Sequence, residues 1–239
     1  MLRSMNQMNG FSIVASDDAI GSIRDFLFDD ERWALRYLVV DTGGWLTGRT
    51  VLISPHAVEQ VAWSARNVHV SLSKEQVRNS PDIDTAKPVS RQHEASLFNY
   101  YGYPYYWTGP YTWGAAAYPM LVVPPLAVDP ALRARPRPTS HEEQQEDPHL
   151  RSADAVTGYY IEAQDGRIGH VEDFLFDDMD WAIAAMVVDT RNWWPGRHVL
   201  LPLDVVNRVS WDDRAVFVDA DRSFIEQRPD FDAARFGQA

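Results

Sequence analysis

The chain has 239 residues, 45% hydrophobic and 12% aromatic, with a formal net charge of −12 and no cysteine. Such a composition belongs to a folded chain, and it excludes disulfides, thiolate metal sites, iron–sulfur clusters and cysteine nucleophiles. The acidity is concentrated in residues 150–239, where 17 Asp and Glu face nine Arg, and no basic cluster is present to neutralise phosphates, which argues against a nucleic-acid partner.

In chain order, residues 11–15 read as a first strand and Asp17-Asp18 as the turn after it. Residues 21–28 alternate, Asp29-Asp30-Glu31-Arg32 is turn-like, and residues 33–40 (WALRYLVV) are apolar on both faces. This predicts a hairpin whose second strand is covered on both sides. A Gly/Trp loop (residues 42–48) and strands at 50–53, 58–63 and 68–72 follow. Ser73-Lys74-Glu75-Gln76 has capping-box spacing and predicts a short helix that Pro81 ends. Residues 86–150 hold a helical stretch at 92–101, the aromatic run YYGYPYYW, and a Pro/charged segment that reads as flexible linker. The aromatic run is too apolar for plain spacer and is expected to lie against a barrel or to act as a sticky assembly arm. Strands are expected again at 158–163, 198–201, 205–211 and 215–218, then a short helix at 221–228.

The second half repeats the first. Residues 20–41 recur at 168–189, and about 28 of the 65 positions aligned between 20–84 and 168–232 are identical, the mark of an internal duplication. The expected organisation is a first domain over 1–85, a Tyr/Pro-rich linker over 86–150 and a second domain over 151–239. Units of this size are only marginally stable alone, which favours packing of one copy on the other or self-association.

The motifs D-F-L-F-D-D-x-x-W-A, V-V-D-T and W-x-x-G-R, in the same order and spacing in both copies, resemble the PRC-barrel family. The resemblance covers roughly residues 8–85 and 156–233. It implies a mainly β fold of two tandem small β-barrels, each with a short C-terminal helix. It also implies a non-catalytic interaction or assembly module like those in the photosynthetic reaction-centre H subunit and a bacterial ribosome-maturation factor. The membrane helix of the former and the N-terminal domain of the latter have no counterpart here.

Of the residues that could carry chemistry, the acids Asp25, Asp29, Asp30 and Asp41 are echoed by Asp173, Asp177, Asp178 and Asp189. Hard oxygen ligands could gather a divalent cation, making Asp29, Asp30, Asp177 and Asp178 weak metal candidates for a cation-sensing alternative; turn formation is the simpler reading. Arg49 and Arg197 are salt-bridge or anion candidates, and Asp41 and Asp189 are each expected either to end a strand or to pair with them. Trp33/Trp181 and Trp63/Trp211 are expected in the core. Trp45, Trp193 and Trp194 in the Gly/Pro loops, with Tyr101, Tyr103 and Trp107, are candidates for protein contact. The seven histidines show no metal or triad spacing, and no nucleotide-binding or hydrolase motif is present. The expectation is therefore no enzyme and no cofactor, and a protein partner or a second copy of the chain in a homo-oligomer. RNA association and a reaction-centre-like role rest on fold analogy alone. No apolar run reaches the ~18 residues of a membrane span, and MLRSMNQMNG lacks the apolar core of a signal peptide, so a cytoplasmic location is expected.

Overall fold

A computed structural model describes residues 1–82, 89–120, 150–190, 197–232 and 236. The first repeat supplies β2 (Ser12–Val14), β3 (Ala19–Asp29), β4 (Ala34–Asp41), β5 (Thr50–Ile53), β6 (Val58–Ala62) and β7 (Asn67–Val70). The second supplies β9 (Tyr160–Ala163), β10 (Gly166–Asp177), β11 (Ile183–Asp189), β12 (His198–Pro202), β13 (Val206–Ser210) and β14 (Ala215–Val218). They join in matching orders, β5-β4-β3-β2-β7-β6 and β12-β11-β10-β9-β14-β13. In each path one pair is parallel, β2 with β7 and β9 with β14, and the others are antiparallel. Among the described residues no pairing joins the end strands, so each sheet is an open path rather than the closed barrel that the family resemblance implies.

The seventh strand of each sheet comes from elsewhere. β1 (Leu2–Ser4) pairs with β10 of the second repeat, and β8 (Leu150–Ser152) pairs with β3 of the first. Each strand is the sequence Leu-Arg-Ser followed by one helical turn, α1 (Met5–Met8) or α4 (Ala153–Val156), N-capped by Ser4 or Ser152. The repeats have exchanged their leading strands. The boundary expected at residue 150/151 therefore falls inside an element, and Leu2–Ser4 belongs to the sheet of the other copy. One continuous hydrophobic cluster runs through both repeats, from Met5 and Phe28 to Phe174 and Ile225.

The helices that local chemistry forecasts are present. α2 (Lys74–Arg78) has the full capping box between Ser73 and Gln76, and α5 (Arg222–Glu226) is capped by Asp221. α3 (Arg91–Tyr101) starts at Ser90 and ends on Gly102 in the left-handed conformation. β4 is buried along nearly its whole length because β3 and β5 flank it while α3 and the aromatic residues after it cover its outer face. Of the linker expected over 86–150, residues 86–88 and 121–149 lie outside the described residues.

Candidate functional site

The repeated acidic turns are used at the strand exchange. Ser4 Oγ donates to Asp173 Oδ2 (2.5 Å) and the Asn6 amide to Asp173 Oδ1 (3.0 Å). Symmetrically, Ser152 Oγ donates to Asp25 Oδ2 (2.6 Å) and the Asp154 amide to Asp25 Oδ1 (2.9 Å). Arg3 pairs with Asp178 at 3.1 Å and Arg151 with Asp30 at 2.9 Å. Burial pushes the Asp25 and Asp173 carboxyls above the usual range, partly offset by the serine and amide donors. Asp29 accepts from the Glu31 and Arg32 amides, as a turn-forming Asp should, and pairs with fully buried Arg36 at 2.7 Å. Asp177 caps its own turn through the Met179 amide and meets the chain's N-terminal ammonium at 3.3 Å. The four weak cation candidates thus have partners within the chain, and they sit in two separate turns.

Asp41 and Asp189 end β4 and β11, one of the two roles expected of them, while Arg49 and Arg197 reach acids beyond the next helix. Arg49 reaches Asp82 (3.0 Å) and the carbonyls of Arg78, Ser80 and Pro81; Arg197 reaches Asp230 (2.6 Å) and the carbonyls of Glu226 and Arg228. Both arginines clamp the C-terminal helix of their repeat to its sheet, since a guanidinium offers several donors to a fan of carbonyls. Asp41 instead bonds the Gly43 amide.

Trp45 is half-buried: its indole N–H donates to the Ile20 carbonyl, and Lys74 and Arg78 lie over its ring. That packing occupies much of the surface expected for a partner. Trp193 and Trp194 lie outside the described residues. Trp33 and Trp181 take left-handed backbone (φ 48° and 60°) and stack on Phe28 and Phe176, closing the two hairpins. Trp63 is covered by Phe11 and Arg3, whereas Trp211 meets Tyr159 edge-on and is 43% exposed, so it is not a core residue.

A cluster with no sequence signature lies on the second sheet. His170, Asp189 and His198 are successive cross-strand partners on β10, β11 and β12, and Glu172 stands beside them. The His198 Nε2 lies 2.8 Å from Glu172 Oε2 and 3.9 Å from Asp189 Oδ2, and His170 Nε2 lies 3.6 Å from Asp189 Oδ2. The histidines are 28 positions apart, so only strand pairing brings them together. Gly169 is needed there: a Cβ would collide with the Asp189 carbonyl, as one at Gly21 would with that of Asp41.

The PRC-barrel domain matches the chain twice, over residues 3–77 and 160–225. The chain belongs to the PRC-barrel family. No curated protein matches the chain significantly. PRC-barrel domains are in general protein-interaction and assembly modules.

Between the two PRC-barrel regions, the aromatic insert packs inward. Tyr103, Tyr106 and Trp113 are buried, which removes Tyr103 from the contact candidates, while Tyr101 and Trp107 are half-buried against the core. Arg36 stacks on Tyr106 and Trp113 and donates to the Thr112 carbonyl; Arg32 donates to the carbonyls of Tyr106, Gly109 and Tyr111. Buried Glu94 accepts from the hydroxyls of Tyr37 and Tyr106. The Trp113 indole N–H reaches the Asp180 carbonyl of the second repeat, so the insert spans both. His56 stacks on Tyr103, and burial first, then the charge of Arg36, pulls its pKa down to about 4.

A groove of about 270 Å³ remains where the two PRC-barrel repeats and the insert meet. Val58, Glu59 and Val61 of β6 form one wall, Tyr118 and Pro119 the second, and Met179 and Trp181 the third.

Proposed function

We propose that this PRC-barrel chain is a non-catalytic assembly module that seats an extended segment of a protein partner in the groove between its repeats. Exposed Met179 carries the reading: it stands 68% exposed at the groove's rim, opposite Tyr118 at 50%. An unbranched thioether beside an amphipathic aromatic ring is a common protein-contact surface. β6 is the end strand of its sheet path and so offers a backbone edge to an extended segment. Glu59 and the acidic balance of the chain favour a partner segment with basic flanks. The partner is a different protein or a second copy.

The test is photo-crosslinking in the source cell from position 179, with position 31, its equivalent in the first repeat, as the control. The expected result is one adduct from 179 and none from 31, with its mass telling a foreign partner from a second copy. Equal labelling from both positions, or none from 179, would overturn the reading.

A further inference from the structure

The two repeats share a fold but not a donor set, and the difference is concentrated on one patch. The residues of the first repeat that correspond to His170, Glu172, Asp189 and His198 are Ser22, Arg24, Asp41 and Thr50. The strand pairings are the same: Ser22 partners Asp41, which partners Thr50, as His170 partners Asp189, which partners His198. The sheet therefore forms without two imidazoles and a second carboxylate there. Their presence in the second repeat is not a requirement of the fold.

The geometry is that of a small-ion site. One ligand atom each from Glu172, Asp189 and His198 lies within 4.8 Å of the other two. The His198–Glu172 and His198–Asp189 separations of 2.8 and 3.9 Å bracket the spacing of about 3.3 Å between ligands of a tetrahedral ion bound at about 2.0–2.1 Å. Glu172 sits at a bulge between Val171 and Asp173, which turns its carboxylate toward β12. Among the described residues, Glu172 Oε2 and His198 Nε2 are shielded from solvent and make no hydrogen bond, although they lie 2.8 Å apart as an ion pair. A cation between them would give each a bond. Asp189 is fully buried, whereas Asp41, its counterpart, is exposed.

We propose that Glu172, Asp189 and His198 form a binding site for a divalent transition metal of the zinc type, with the His170 imidazole beside it. Mixed imidazole and carboxylate donors select zinc, nickel, cobalt or copper over calcium and magnesium, which take six or more oxygens. The side chains of His198, Glu172 and His170 remain 30–40% exposed, so the cluster lies at the protein surface although the two facing ligand atoms are shielded. When bound, it ties β10, β11 and β12 together.

The test is calorimetric titration of chelator-treated full-length protein with zinc chloride, alongside thermal unfolding. The wild type is expected to bind one ion per chain with a Kd of about 1 µM or tighter and to melt higher with zinc. His198→Thr and Glu172→Arg place residues the first repeat already carries, so they should fold, and each should weaken binding by about 100-fold. Thr50→Ala in the first repeat should leave it unchanged. Absence of zinc binding in the wild type, wild-type affinity in His198→Thr, or equal stabilisation by magnesium would overturn the proposal and leave a metal-free ion-pair cluster.

Discussion

The single side chains with the largest consequences are the charged or titratable ones of the first repeat that the aromatic insert covers. Arg36 is fully buried and ion-paired to Asp29. Arg36→Ala should cost about 3–5 kcal/mol, because it leaves a buried carboxylate uncompensated; equilibrium urea unfolding measures it. The second repeat has Ala184 at this position and it is exposed, so Ala184→Arg should have little effect. His56 is held neutral, with its pKa lowered from 6.5 to about 4. The unfolded chain gains a proton near pH 6.5 and the folded chain does not, so stability is complete above pH 6.5 and falls toward pH 4. At 1.36 kcal/mol per pH unit the loss approaches about 3 kcal/mol. Asp25 and Asp173 act oppositely, since raised carboxyl pKa values favour the folded state as pH falls. Comparison of wild type with His56→Gln therefore isolates the imidazole: the gap between their stabilities should change by that amount between pH 7 and pH 4.

At the scale of elements, local chemistry was readable and long-range pairing was not. The hairpins, the Ser73–Gln76 capping box and the both-face burial of β4 follow from alternation, cap spacing and apolar runs close in sequence. The true partners of Asp25 and Asp30, Ser152 and Arg151, lie more than 120 positions away, and three-residue strands carry no periodicity to betray them. One signal was available: Leu-Arg-Ser occurs at 2–4 and again at 150–152, at the same offset as the rest of the duplication. Arg49 and Arg197 are legible as salt-bridge residues, but the acids they meet, Asp82 and Asp230, lie beyond the following helix and no local pattern points to them. The exchange predicts matched sensitivity on β3 and β10. Asp25→Ala and Asp173→Ala each strip a serine hydroxyl and an amide of their acceptor, and each should cost about 2 kcal/mol by chemical unfolding.

For the whole molecule, the exchange and the insert make the duplicated chain one body rather than two beads on a linker. Each repeat completes the other's sheet, the β3–β4 and β10–β11 turns meet through Leu35 to Trp181 and Ile183 to Trp33 backbone hydrogen bonds, and Trp113 reaches across. The groove proposed for the partner is assembled from all three parts and exists only in that arrangement. Marginal size of each unit, legible from the internal duplication, explains why the copies share a core. What length could not show was that they share strands. The most direct measurement is hydrogen exchange by mass spectrometry on wild type and Asp173→Ala. The substitution lies in the second repeat, yet the account predicts that protection falls together in core peptides of both repeats, residues 34–40 as well as 183–189, as expected of one cooperative unit. Loss confined to residues 160–225, with residues 34–40 protected as before, would contradict it.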